Sequence, residues 1–420
     1  MCITVTIVVK LKGFQKLTLT DKALQTWLET LQIGKPKSEL VSLQDASGRI
    51  LAVDLVAQES LPRFDKSAMD GYALNSGDSA GASQSKPSVF QLTDSPELGP
   101  KQAKQVWTGN PIPKGADAVI MLENTQKKEG KLEVWSRLVP GENVAKIGED
   151  LKKGTLVVKG GARLNPYHIG LAAALGYRQL KVAAKPKIGI VATGNELAEA
   201  GKKLSGSMIF DSNKVMISTM CSELGTETTD FGIARDDVDE IAEKIREALK
   251  TQDAVVTTGG MSVGGLDLVP DAVNKLGKPG VVIHGVALRP AMPTALAMLE
   301  SKPVLILSGN PVAAIVGFEV FGRPMVCRLL GMSETEPRPM LKAVLSRRVA
   351  SALGRKTYVR VRVTLKEGEF YAEPVSAKGS GSISTMTQSN GFVVVPENRE
   401  GVSEGETVIV HMFGALEAES

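Results

Sequence analysis

Aromatic residues make up only 4% of this 420-residue chain, too few for the stacking platforms that non-specific single-strand nucleic-acid binders use. No block of five or more Lys or Arg occurs and the formal charge is +4. The charge balance therefore gives no support to nucleic-acid or anionic-membrane binding. Three cysteines, Cys2, Cys221 and Cys327, lie far apart and are odd in number. They form neither a disulfide framework nor a zinc-site spacing, and a cytoplasmic location is expected. The three histidines, His168, His284 and His411, share no local spacing, which argues against a histidine-ligated metal. No apolar stretch approaches the roughly 20 residues of a membrane helix. The β-like start, residues 1–11, is too short and wrongly ordered for a signal peptide.

What is present reads as an ordinary globular composition, 43% hydrophobic and 23% charged, in a chain long enough for three or four domains. A helix is predicted over 20–31, with Thr20 as N-cap and Ala23, Leu24, Trp27, Leu28 and Leu31 on one face. Short strands and Gly/Pro turns follow to about residue 156, then a helix within 163–177 that starts at Asn165-Pro166. Past a basic hinge, Lys185-Pro186-Lys187, regular β/α alternation begins. Strands are predicted at 188–192, 226–231, 254–258, 281–286 and 304–307, with the clearest helix at 237–249 and a long one at 312–330. This pattern argues for a mainly parallel sheet covered on both faces. The last 80 or so residues read as a small β barrel or sheet.

The most informative segment is 257–267, Thr-Thr-Gly-Gly-Met-Ser-Val-Gly-Gly-Leu-Asp. Gly259, Gly260 and Gly264 let backbone N–H groups approach a ligand at the carboxyl end of a strand, where open α/β sheets bind ligands. A second loop of similar design, Ser308-Gly309-Asn310-Pro311, follows another apolar strand. Glu196, Asp236 and Asp267 end three strands of one sheet; singly each reads as a helix start or cap, together as hard oxygen ligands for Mg²⁺ beside substrate phosphates. Arg289, fixed by two nearby prolines, offers a positioned cation for an oxyanion. The segments 67–72 and 107–111, and Gly148-Glu149-Asp150, look like turns. Residues 379–385 suit either phosphate binding or a flexible linker.

Taken together these runs resemble the MoeA/gephyrin family, the molybdopterin molybdenumtransferases. The matching stretches are 64–74, 108–123, 148–150, 193–197, 211–213, 235–237, 257–267, 308–313 and 379–384, in the family's order. The resemblance implies a MogA/MoaB-like molybdopterin-binding α/β domain with a mainly parallel sheet (185–334), small β domains, and a C-terminal β barrel (335–420). It further implies an elongated dimerisation domain (14–58 and 149–184) with an inserted β domain (59–148). The implied reaction is Mg²⁺-assisted insertion of molybdate, or tungstate, into adenylylated molybdopterin with release of AMP. It would run in a cytoplasmic homodimer whose active site is shared between subunits, and a MogA/MoaB-type adenylyltransferase is a possible partner. A pterin-binding scaffold of gephyrin type with reduced catalysis is the alternative. Neither nucleic acid nor membrane is implied.

Carried over by position, Asp70, Thr108, Asp150, Glu196, Asp236 and Asp267 match the family's acidic and polar active-site residues, the last three handling Mg²⁺. Asp70 and Asp150 would come from the dimer mate. Gly259, Gly260, Ser262, Gly264, Arg289, Gly309, Asn310, Pro311, Arg360 and Ser380 would hold the pterin or the oxyanion. The chain departs from the family pattern in four places. Lys-Pro-Gly is Arg289-Pro290-Ala291, and Pro-Gly-Asn-Pro is Ser308-Gly309-Asn310-Pro311. A Lys found in some members is Gly285, and the basic cluster before Gly-Glu-Asp is thinned to Val144-Ala145-Lys146. Fewer cations should weaken oxyanion binding or shift its selectivity.

Overall fold

The structure, a computed structural model, describes residues 17–31, 33–261, 267–375 and 379–416. It divides into two compact units, one formed by the described residues up to Glu39 and from Ala183 onward, the other by Leu40–Val182. Among the described residues no helix is long and apolar enough to cross a membrane.

In Leu40–Val182 a six-stranded mixed sheet runs in the order Ala118–Met121, Gly71–Leu74, Gln102–Val106, Ser88–Leu92, Lys131–Val134, Thr125–Lys128. Its alternating side chains bury Tyr72, Leu74, Phe90, Ile120, Leu132 and Val134 on one core. A separate core gathers Leu51, Leu55, Leu164, Ala172 and Leu180 around the helix Pro166–Ala174, which Asn165 caps by accepting from the His168 N–H. Proline at the first helical position and Asn before it make that start legible in sequence.

The other unit is built on a second six-stranded sheet, ordered Glu227–Ala234, Lys187–Thr193, Ala254–Thr258, Lys302–Leu307, Ala295–Leu299, Pro279–His284. The first four strands are mutually parallel, and Ala295–Leu299 alone runs the other way, paired antiparallel with Lys302–Leu307 on one side and Pro279–His284 on the other. The sheet is thus mainly parallel, with one reversed strand next to its edge. The Ala295–Leu299 strand escaped the sequence reading, because a five-residue apolar run after Pro293 has no helix before it to mark a crossover. The amphipathic helix Val238–Thr251 buries Ile241, Ala242, Ile245 and Ala248 against the sheet. The long helix predicted at 312–330 is three pieces, Pro311–Gly317, a π-helical Phe318–Gly322, and Arg323–Leu329. Pro324 explains the interruption: it has no N–H and its ring clashes with the preceding turn. Within the π-helical piece the Phe321 carbonyl accepts from the Trp27 indole at 3.2 Å. Trp27 belongs to the helix Thr20–Thr30, whose N-cap is Leu19 rather than Thr20. The Thr20 hydroxyl is buried and donates to the Ala287 carbonyl instead.

The C-terminal region closes five strands into a barrel, with Lys356–Lys366, Glu369–Pro374, Met340–Leu345, Thr407–Met412 and Gly391–Val395 paired in a ring. Val361, Val363, Val393, Val395 and Val410 fill its interior, the apolar-in alternation that a small barrel requires. Outside the ring, the short strand Leu288–Arg289 pairs in parallel with Lys356-Thr357 and so ties the α/β domain to the barrel.

Candidate active site

Two hollows meet at the loop 308–310. The first, of about 430 Å³, lies at the carboxyl ends of the parallel strands and is lined by Thr193, Glu196, Asn213, Asp236, Gly259 and Gly309. Gly259 has φ +90°, and a Cβ there would stand 2.4 Å from the Thr193 carbonyl oxygen, so only glycine fits. Gly260, at φ +64°, would clash with Val269 and Thr193 in the same way. Gly259 N–H donates to the Leu307 carbonyl at 3.0 Å, and the Asn213 amide donates to the Gly309 carbonyl at 2.7 Å. The two glycine loops are thereby fixed side by side. Ser262 and Gly264 lie outside the described residues.

Asp236 is not the cap of the helix that follows. Asp237 takes that role, accepting from the N–H groups of Asp239 and Glu240. Asp236 instead exchanges two 3.2 Å bonds with Asn195, carboxylate to N–H and N–H to side-chain oxygen. That exchange sets Asp236 beside Glu196 on the cleft. Asp267 stands at the N-cap position of Leu268–Leu276 but makes no cap bond. One of its oxygens is 3.3 Å from His284 Nε2; the other is buried without a hydrogen-bond partner. Among the described residues no three His, Cys, Asp or Glu side chains cluster closely enough to hold a metal. Glu196 and Asp236 share the cleft, and the structure does not gather Asp267 with them. Two carboxylates are what Mg²⁺ usually takes from a protein when substrate phosphate and water complete its shell, so the donor set fits such an ion.

Beneath the cleft the buried Lys214 ammonium bridges Glu199 at 2.7 Å and Asp230 at 2.8 Å. Neighbouring Asp211 is buried and its carboxyl is pushed up by desolvation. This network holds the start of the helix Asn213–Glu223, and with it Asn213.

The second hollow, of about 640 Å³, lies between the α/β domain and the barrel and is lined by Arg289, Arg355, Arg360, Tyr358, Asn310 and Ser380 among others. It is basic: the described residues that line it include three arginines and no carboxylate. Arg360 is half-buried, its guanidinium held by a 3.0 Å bond to Thr385 Oγ1, and burial lowers its pKa. Burial also pushes the Tyr358 phenol up to about 12, leaving a neutral donor. Asn310 precedes Pro311–Gly317 without capping it, which frees its amide for the hollow. The Val312 N–H donates to the Ser380 carbonyl at 3.0 Å and docks the 379–380 segment on the helix start. Arg355 and Tyr358 were missed in the sequence; their position at the start of the Arg360 strand was the available signal.

The departures from the family pattern have visible structural correlates. Ala291 sits at φ +90°, a region that suits glycine. Gly285 has φ +81°, where a lysine would be strained. Ser308 Oγ accepts from the Asn310 N–H at 3.2 Å. The remaining Lys146 is spent on Asp65, 2.9 Å away.

Asp70, Thr108 and Asp150 belong to the Leu40–Val182 unit. One Asp70 oxygen accepts from both the N–H and the hydroxyl of Thr108, each at 2.7 Å. These two bonds, the backbone one first, hold the carboxyl below the usual range. Asp150 is exposed on a neighbouring turn, its N–H bonded to the Leu61 carbonyl.

The fold and site define a multidomain α/β protein that pairs an acidic, glycine-lined cleft with an arginine-rich hollow. Three family models match it in order: the MoeA N-terminal region (domain I and II) over 18–176, the "probable molybdopterin binding domain" over 189–328, and the MoeA C-terminal region (domain IV) over 342–413. The molybdopterin molybdenumtransferase of Bacillus subtilis is 36% identical over 386 residues, 89% of each chain. That of Haemophilus influenzae is 34% identical over 94% of this chain and 98% of its own. The crystal structure of a molybdopterin biosynthesis MoeA protein from Pyrococcus horikoshii superposes with a TM-score of 0.81 at 32% identity, covering 95% of this chain and all of that one. The chain belongs to the MoeA family of molybdopterin molybdenumtransferases, which serves molybdenum cofactor biosynthesis.

Proposed function

We propose that this chain inserts molybdate, or tungstate, into adenylylated molybdopterin with Mg²⁺ and releases AMP. The observation that carries this reading is the pair of hollows of opposite charge on either side of the 308–310 loop. A phosphoanhydride needs its charge offset; an incoming oxyanion needs fixed donors. The acidic cleft and the arginine hollow supply these two things separately.

In this reading Glu196 and Asp236 hold the metal, with the free Asp267 oxygen available as a further ligand. When bound, the ion neutralises the phosphoanhydride and so eases departure of AMP. The N–H groups of the Gly259 and Gly309 loops face the pterin and its phosphates. Arg289 and Arg360 hold the tetrahedral oxyanion by charge-assisted bonds, and Ser380, Asn310 and Tyr358 orient it. Asp70, Thr108 and Asp150 act from the Leu40–Val182 unit of a second subunit, in a cytoplasmic homodimer. A MogA/MoaB-type adenylyltransferase supplies the substrate. In this reading the chain has four domains: 14–58 with 149–184, 59–148, 185–334 and 335–420.

The test is turnover. Purified protein with adenylylated molybdopterin should release AMP only when both Mg²⁺ and molybdate or tungstate are added. Pterin binding with no AMP release above that of a Glu196→Gln, Asp236→Asn control would overturn the enzyme and leave the scaffold.

A further inference from the structure

The sequence contains Lys-Pro-Lys twice, at 35–37 and 185–187, and the fold brings both to one cavity. This cavity, of about 230 Å³, is lined by Lys35, Lys37, Lys185 and Lys302, with Asp253 as the one carboxylate among the described residues. The surplus of three positive charges there compares with a net +4 for the whole chain.

The backbone that carries these lysines is firmly built. The Ala184 N–H donates to the Lys37 carbonyl at 2.8 Å, and the Glu227 N–H to the Pro186 carbonyl at 2.9 Å. Pro36 packs so closely on Gly331 that a Cβ there would be 2.6 Å from its ring. Asp253 offsets one of the four charges, and its carboxylate is held in place by the Lys187 N–H at 2.8 Å. Lys302 bonds the Leu249 carbonyl near a helix end. The ammonium groups of Lys35, Lys37 and Lys185 have no partner among the described residues. Like charges held together on a fixed frame repel, and a multivalent anion relieves that repulsion.

The location separates this cavity from the chemistry. Lys302 begins its strand and Asp253 directly precedes another, while Glu196 and Gly259 lie past the opposite ends. At about 3.3 Å per residue, the two ends of such a strand are roughly 20 Å apart. The volume is below the roughly 300 Å³ at which drug-sized ligand pockets begin. Lysine is a compact point charge suited to phosphoryl oxygens.

We infer that the paired Lys-Pro-Lys tripeptides form a second anion site, for a compact multivalent oxyanion of the phosphate or diphosphate class. The inference stands independently of the proposed reaction. Calorimetric titration of the Arg289→Gln, Arg360→Gln full chain, in which the arginine hollow no longer competes, with sodium diphosphate at low ionic strength should still show a saturable site. The double variant Lys35→Gln, Lys185→Gln should weaken it by about tenfold or more, and added salt should weaken it steadily. Orthophosphate should bind the same site more weakly. Three results would overturn the inference: no saturable binding, binding that follows the arginines rather than the lysines, or equal affinity for a hexaglutamate peptide. Because the three lysines with free ammonium groups are exposed, the glutamine variants should keep the parent's circular dichroism.

Discussion

The two hollows beside the 308–310 loop differ in how their charges are held. In the acidic cleft, Asp236 is placed by reciprocal bonds to Asn195 and the glycine loops by backbone contacts, while Glu196 stays exposed. In the basic hollow, Arg360 is half-buried and bonded to a threonine on the barrel, while Arg289 comes from the α/β domain. The first is one sheet edge; the second exists only where two domains meet. The acidic cleft can therefore be read from the ends of parallel strands, whereas the basic hollow requires the barrel to be docked. The comparison also predicts that the two hollows fail differently when damaged.

The largest effect should come from Arg360→Ala. It removes a charged donor from a desolvated wall, which typically costs 10²–10³ in rate, about 3–4 kcal/mol. AMP release should fall by that factor, with molybdate dependence shifted and Mg²⁺ dependence unchanged. Arg360→Lys should recover little, since an ammonium lacks the planar fork. Next comes Glu196→Gln, which should raise the Mg²⁺ needed for half-maximal rate by about tenfold while leaving molybdate dependence alone. If either variant moved the other's dependence, the two hollows would be one functional site and the comparison would fail.

The strands Lys187–Thr193 and Ala254–Thr258, which carry the cleft, were legible because each is an apolar run that ends in Thr and is followed by Gly. What the sequence could not decide was which of two adjacent acids caps a helix. Asp236 and Asp237 are equivalent until the backbone turns, and it turns so that Asp237 caps and Asp236 faces the cleft. Asp267 is legible by position alone: its spacing matches the other two acids but does not announce the His284 ring, seventeen residues later, whose Nε2 stands 3.3 Å from one of its oxygens. The basic hollow was only partly legible. Arg289 and Arg360 stood out by resemblance, while Arg355 and Tyr358 look like ordinary residues of a β strand's start until the barrel is closed. Lys146 reads as an unpaired cation in the sequence, yet it forms an exposed ion pair with Asp65 at 2.9 Å.

A smaller effect tests the rim of the basic hollow. Ala291 pays a left-handed strain of about 2 kcal/mol. Replacing it with glycine relieves that strain but adds about 0.7 kcal/mol of unfolded-state entropy and loses about 0.8 kcal/mol of buried methyl. A net gain of about 0.5 kcal/mol is expected for Ala291→Gly in urea unfolding. A loss of stability would show that the methyl, which packs near Gly317, matters more than the backbone. Oxyanion affinity should stay within about twofold, since Arg289 keeps both its prolines.

The smallest effect is a titration in the Leu40–Val182 unit. Bonds from the Thr108 N–H, then its hydroxyl, lower the Asp70 pKa. A depressed carboxyl adds stability above its unfolded pKa and loses that contribution as pH falls through the folded one. The Asp70–Thr108 contact is therefore intact at neutral pH and should open only in acid, below the ordinary Asp range. Carboxyl NMR of the wild-type chain should show that low midpoint. Thr108→Val should move it only part of the way back, because the N–H, the stronger of the two causes, remains. A full return to the ordinary value would mean that the hydroxyl alone holds Asp70, and the backbone turn at 107–110 would then not be what presents it.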